Sequence, residues 1–477
     1  MSRLRGNPWA TLVVLSLGYF MTLLDSTIVT IAIPSIIDSM HATLPEVLWA
    51  LNSYIIAITV LLITAGRLGD RYGPRQVFVV GVLLFTVASL LCGIATVPGV
   101  LVGARVLQGV GAALLMPQSL TLIVASFPRE RRGTALGVWG AIGGVASVLG
   151  PSLGGLLIDA AGWRWIFLVN LPIGVLVVVG GLMIVPDLRT GRQHSLDLLG
   201  VGLVSLALAC FAYAVTNGPD HHWGPLVWAL LVAAALLGAG FTVRQRRRQD
   251  RDPLVPFALL RIRGYTMTLG IAAAITGATF AIMVVAALYF QAVLGLSAFR
   301  AGLILAPASA MSVLVALVAG RLADRMEGRY ILLTGMVVQG VGILWTALLM
   351  TGSVHWTAFL APMAVVGMGN GCSIAPRTTV AMRDVPQELT GAASGILETT
   401  RQLGAMVFTA GVVALMQGLP SVTGGSGAAM RAALALPVAA LALGAVACLA
   451  LPREAAEATE ATEEAGPAVR ARPVPSD

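Results

Sequence analysis

The chain contains no lysine; its 30 basic side chains are all arginine. That excludes a Walker A phosphate loop, whose lysine contacts the nucleotide phosphates, and it excludes a Schiff-base lysine. Any uphill work must then draw on an ion gradient. Charge is scarce as well. Only 11% of the 477 residues are charged, against about a quarter in soluble domains, while 57% are hydrophobic and the mean hydropathy is +0.88. Water is therefore not the main solvent of this protein. The four cysteines, Cys92, Cys210, Cys372 and Cys448, lie inside apolar runs without C-x-x-C spacing, which argues against disulfides and metal ligation. No catalytic constellation or metal-ligand spacing appears, so an enzyme is disfavoured.

What the sequence does have is long apolar runs. A bilayer core about 30 Å thick needs about 20 apolar residues per helix. Fourteen such runs are separated by charge or Pro/Gly breaks, from Trp9 to Ile37 through to Arg431 to Leu451. The first carries Asp25 and lacks a small-residue cleavage site, and it reads as a retained helix rather than a signal peptide. The formal charge of +8 would fit nucleic acid, but its distribution fits the positive-inside rule instead. With the N-terminus inside, that side collects 25 of the 30 arginines, including Arg67, Arg71, Arg75, Arg129, Arg131, Arg132 and the block from Arg244 to Arg263. The expected molecule is a multi-pass protein of the cytoplasmic membrane, with lipid as its partner rather than nucleic acid and with both termini inside.

The sequence also repeats. Gly66-Arg-Leu-Gly-Asp70-Arg71-Tyr-Gly73-Pro-Arg75 follows the second run, and Gly320-Arg-Leu-Ala-Asp324-Arg325-Met-Glu-Gly328-Arg329 follows the tenth. Arg132-Gly-Thr-Ala-Leu-Gly137 opens the fifth, and Thr390-Gly-Ala-Ala-Ser-Gly395 opens the thirteenth. The offsets, 254 and 258 residues, make helices one to six equivalent to helices nine to fourteen. The division that follows is a six-helix bundle over 1–186, two inserted helices and a linker over 187–264, a second bundle over 265–452, and an Ala/Glu/Pro-rich disordered tail over 453–477.

Residue chemistry singles out several positions. Asp25 and Arg105 are charged groups near mid-membrane, where each must face the protein interior and find a partner. A carboxyl held in low dielectric titrates closer to physiological pH, as a reversible proton carrier requires. Glu398 and Arg401, three residues apart on one helical face, either neutralise each other or make Glu398 a second membrane carboxylate that recognises cationic substrates or carries a second proton. In the loop Gly66 to Arg75, glycines permit a tight turn and Asp70 can pair with arginine or a helix N-terminus. Gly150-Pro151-x-x-Gly154-Gly155 allows a bend and close helix approach. Gln108, Gln118, Tyr289, Gln291 and Asn370, with Arg401, are candidates to line a substrate cavity, although single polar residues in such helices more often bond neighbouring helices.

These motifs together resemble the major facilitator superfamily, and within it the fourteen-helix drug:proton antiporters. The likeness rests on the loop Gly66 to Arg75, which departs from the family pattern at Gly69 and Pro74. It rests also on Leu101-x-x-x-Arg105-x-x-Gln108-Gly109-x-Gly111, on the glycine series of the fifth helix with Ala146 in place of one glycine, and on Leu24-Asp25-Ser26-Thr27-Ile28-Val29-Thr30. The resemblance implies an all-α membrane fold of two six-helix bundles plus two inserted helices. It implies a monomer that exports drugs or antibiotics by alternating access, with protons as the coupling ion and no other cofactor. Asp25, Arg105 and Glu398 would handle the proton, and Gly66, Asp70, Arg71, Gly73, Arg75, Asp324 and Arg325 would form a conformational latch. Gly150, Pro151, Gly154 and Gly155 would form the antiporter hinge. The competing readings are an uptake symporter, disfavoured by the fifth-helix signature, and a non-transporting membrane sensor, which would not need a titratable carboxylate.

Overall fold

The computed structural model describes residues 6–188, 197–218, 223–351, 354–418 and 426–451; His221 and His222, read from the sequence as a solvated outer loop, and the 453–477 tail lie outside these. The described residues form helices and connecting turns without a strand. The first half contains α1 (Pro8–Met40), α2 (Leu44–Tyr72), α3 (Pro74–Gly93), α4 (Pro98–Ser126), α5 (Arg132–Ala161) and, after the single turn Trp165–Leu168, α6 (Asn170–Met183). Next come α7 (Leu198–Asn217) and α8 (Pro225–Arg247). The second half contains α9 (Arg263–Leu288), α10 (Ala298–Ala323), α11 (Gly328–Leu349), α12 (Leu360–Met382), α13 (Thr390–Gly418) and, after Ser426–Ala433, α14 (Ala435–Leu449).

Each expected apolar run coincides with helix. Twelve helical spans among the described residues are long and apolar enough to cross a membrane. The fifth and thirteenth runs are helices of 30 and 29 residues, α5 and α13, and most of their glycines face protein. Helix starts follow ordinary capping chemistry: proline occupies the first turn of α1, α3, α4 and α8, where its missing N–H leaves no bond unmade. Pro74 is one of these, and the preceding Gly73 at φ +94° makes the sharp turn from α2 into α3, a conformation that strains any other residue.

Most helices pack on members of their own half, but α5 packs chiefly on α10 of the other half, and α2 against α13 joins the halves as well. The hairpin of α7 and α8 rests through α7 on α2 and α13, with Trp49 stacked on Tyr213 at 5.5 Å. Leu226, Trp228, Val232, Leu236 and Val243 of α8 remain exposed, which is the surface a lipid-facing helix presents. One buried carboxylate closes this hairpin. Asp197 caps α7 through the N–H of Gly200 and is held by Arg244 at 2.6 Å, by Gln245 at 3.1 Å and by Arg248 at 3.7 Å. Burial alone would raise its carboxyl, but the Arg244 hydrogen bonds, the Gly200 N–H and the nearby Arg248 together hold it below the ordinary carboxylate range.

Candidate functional site

Three places bring charge and polarity together inside this apolar frame. The first is wholly within the first half. Asp25 lies mid-way along α1 with no exposed surface, and Arg105 on α4 is equally buried. The Arg105 Nη1 donates to Asp25 Oδ2 and, at 2.6 Å, to Gln108 Oε1; its Nε donates to the Ala50 carbonyl at 3.2 Å. Gln108 Nε2 donates to Asp25 Oδ1 at 2.8 Å and to the Ser89 hydroxyl at 2.8 Å, and Asn170 Nδ2 donates to Asp25 Oδ1 at 3.2 Å. The guanidinium stacks over the Tyr54 ring at 4.1 Å, and the Tyr54 hydroxyl donates to the Thr22 carbonyl at 3.2 Å. Five helices, α1, α2, α3, α4 and α6, thus contribute to one closed network. A buried ion pair persists only when its remaining hydrogen-bonding capacity is met, and here the amides of Gln108 and Asn170 meet it.

The second place is the seam between the halves at the arginine-rich end. Asp70, at the C-terminal end of α2, accepts hydrogen bonds at 3.1 Å from the backbone N–H groups of Gly391 and Ala392, which open α13. Asp324, following α10, accepts from the N–H groups of Gly133 at 2.7 Å and Thr134 at 2.8 Å, and from the Thr134 hydroxyl, at the start of α5. First-turn N–H groups have no partner inside their own helix and carry the positive end of its dipole, so each carboxylate meets both needs at once. Each half therefore caps a helix of the other. Backbone contact completes the seam: a methyl group on Gly66 would strike the Gly391 carbonyl, and one on Gly320 would lie 2.6 Å from the Gly133 carbonyl. Arg67 pairs with Asp70 at 3.1 Å. Arg75 donates to the Gly181 and Leu182 carbonyls and so caps the C-terminus of α6, while Arg71 and Arg325 are exposed. Gly69, where the family pattern has alanine, leaves room for Gln118: a Cβ there would overlap the Gln118 amide, which donates to the Ala65 carbonyl at 2.7 Å.

The third place also lies between the halves, deeper than the caps. Glu398 and Arg401 of α13 pair at 2.5 Å. Tyr19 of α1 stands within electrostatic range of both, and Arg377 of α12 stands within range of all three. Tyr19 stacks on Trp139 of α5, with centroids 4.0 Å apart.

The candidate cavity residues do not share one location. Gln108 belongs to the Asp25 network and Gln118 to the α2–α4 contact. Tyr289 is buried among Phe290 and Phe359, Gln291 is exposed, and Asn370 donates to Ser312 at 3.0 Å and accepts from Thr279 at 3.2 Å. In the glycine series, Gly150 lies against Thr27 and Gly154 against Ile28, whereas Gly155 faces open space. The Pro151 side chain lies outside the described residues. Asn170, Tyr19, Trp139 and Arg377 were not singled out from the sequence.

Comparison with known proteins places this architecture. The family model of the Major Facilitator Superfamily matches residues 15–409. The chain belongs to the Major Facilitator Superfamily. Among superfamily members, it is 37% identical over 414 residues to the uncharacterized MFS-type transporter Rv1250 of Mycobacterium tuberculosis, covering 86% of this chain and 70% of the relative. It is 36% identical over 421 residues to the tetracenomycin C resistance and export protein of Streptomyces glaucescens, covering 87% and 77%. The crystal structure of the human organic anion transporter MFSD10 (TETRAN) superposes with a TM-score of 0.67 at 10% identity, covering 93% of this chain and 99% of that one, a likeness of fold alone. As a superfamily member the chain is a multi-pass membrane protein of the transporter class.

Proposed function

We propose that this protein exports small organic molecules, drugs or antibiotics among them, by alternating access in exchange for protons. The observation that carries the proposal is Asp25, a carboxylate buried in the middle of a membrane helix against one arginine. Protonation of Asp25 removes the charge that holds Arg105 to α1, so the packing of α1 and α4 differs between the two protonation states. The reciprocal caps at Asp70 and Asp324 supply the second requirement, a seam that is closed in one state and broken in the other. With that end cytoplasmic, the arrangement corresponds to a carrier closed toward the cell interior and ready to release outward. The relative named for tetracenomycin C resistance and export supports the outward direction. One charge crossing 100 mV supplies about 2.3 kcal/mol, enough to bias such an equilibrium.

Everted membrane vesicles provide the test. Energised vesicles containing the protein should release protons when a transported compound is added from a panel of aromatic antibiotics. Asp25→Asn should abolish that release while the protein remains inserted at wild-type level. Unchanged proton-coupled transport in Asp25→Asn would remove this carboxylate from the mechanism.

A further inference from the structure

The cluster between the halves holds more hydrogen-bond donors than it uses. Arg377 is 5% exposed, and its one hydrogen bond among the described residues is a long one, from Nη1 to the Thr276 hydroxyl at 3.4 Å. Its Nε has no partner, and neither has the Nε of Arg401 nor the indole Nε1 of buried Trp139. All three unpartnered atoms are donors. Glu398 is the one carboxylate of the cluster and is already taken by Arg401. Two guanidinium groups and one carboxylate leave a net positive charge in low dielectric, which is unfavourable unless something compensates it. The groups come from both halves: Tyr19 and Trp139 from the first, Arg377, Glu398 and Arg401 from the second. Ile374, one turn before Arg377, packs on Gly140 of α5, which brings this part of α12 onto the seam.

We infer that this cluster is the part of the substrate site that receives an acidic group, a carboxylate or phenolate, so that the preferred cargo is an aromatic organic anion. The inference rests on the export reading above and specifies its substrate class. A planar anion meets each requirement: its oxygens accept from Arg377, Arg401 and Trp139, and its charge offsets the surplus guanidinium. Tyr19 and Trp139 supply a stacked aromatic wall against which a ring can lie. The site fits a cation poorly, because Arg377 would stand unpaired beside it.

Equilibrium binding in lipid nanodiscs, without any gradient, separates this inference from proton coupling. The probes are 1-naphthoate, its uncharged amide 1-naphthamide, and 1-naphthylmethylammonium, all with the same ring, titrated against the full chain by quenching of tryptophan fluorescence. Naphthoate should bind at least about tenfold more tightly than the amide, with the ammonium weakest. Arg377→Gln should weaken naphthoate far more than the amide and so erase the preference between them, and Arg377→Lys should restore part of it. Equal binding of the three probes to the wild-type protein would overturn the inference, and this comparison needs no variant. An Arg377→Gln protein that folds and weakens all three probes equally would overturn it too, by reducing Arg377 to a packing role. Loss of proton release with the anion preference intact would instead count against the coupling scheme alone.

Discussion

The two halves share a backbone but not a charge arrangement. A methyl group on Gly109 would strike the Tyr54 carbonyl, and one on Gly367 would strike the Ala308 carbonyl; Gly111 approaches the Phe85 amide as Gly369 approaches that of Gln339. These contacts repeat at the offsets of 254 and 258 residues, so positions in the two halves can be matched directly. Asp25 then corresponds to Thr279, and Arg105 to Met363. Where the first half buries an ion pair, the second holds a neutral chain of buried Gln339 and Ser312 and half-buried Thr279 and Asn370. The second half carries its membrane charges on the seam instead, as Glu398, Arg401 and Arg377. One half is therefore built to hold a charge pair privately, and the other to present charge to whatever lies between them.

The largest effect should separate the two buried arginines. Arg105→Met leaves buried Asp25 without its cation, which costs about 3–5 kcal/mol; thermal unfolding in nanodiscs should register that loss. Arg377→Met strands no carboxylate and should leave the melting temperature unchanged or raise it. Equal destabilisation by the two would erase the distinction between a satisfied and an unsatisfied charge. Next come the seam glycines. Gly66→Ala and Gly320→Ala place a methyl group against backbone that cannot yield, at about 1–3 kcal/mol each. Spin labels at Arg71 and Gln387 should report a longer distance across that end, whereas Gly155→Ala, with open space before it, should leave the distance as it is.

Removing the caps should have a smaller effect, about 0.3–2 kcal/mol per site. Asp70→Asn should be the costlier of the two, because it also strips buried Arg67 of its partner, which Asp324→Asn does not do for an equivalent residue. Transport rate measured against substrate concentration would show whether the two caps are interchangeable. The smallest effect on transport belongs to Asp197, whose partners Gly200, Arg244, Gln245 and Arg248 belong to the α7–α8 hairpin and its end. Its folded carboxyl titrates below the unfolded value of about 3.9, so its stabilising contribution is complete above that pH and is lost as pH falls through the folded value. Melting curves taken down to about pH 3 should show an acid limb that Asp197→Asn lacks.

Much of this is legible in the amino-acid sequence. Hydrophobic run length alone placed the helices, and the duplicated motifs gave the equivalence of the halves. The chemistry of Asp25 and Arg105 demanded partners, since charge in a bilayer cannot stand alone. The sequence did not disclose which partners. Helices that are apolar all round show no preferred face, so Asn170, Tyr19 and Trp139 looked like any other polar or aromatic position. Pro376 reads as the end of a helix, which would leave Arg377 in the loop that follows. The helix instead continues to Met382, and the arginine is carried inside. Proline is tolerated in such a place where neighbouring helices compensate the lost bond. The swap of caps between halves was equally hidden: the loop composition called for a helix N-terminus near Asp70 but did not say whose.

That swap has a consequence for symmetry. When residue i of one unit grips j of another, and j of the first is gripped by i of the second, the arrangement is that of a two-fold symmetric pair. The caps by Asp70 and Asp324 are such a relation written into one polypeptide. Two separate units carrying this contact would meet face to face, each supplying one aspartate and one helix start. Within one chain the two units no longer have to match, and one holds an internal ion pair while the other sets its charges on the seam.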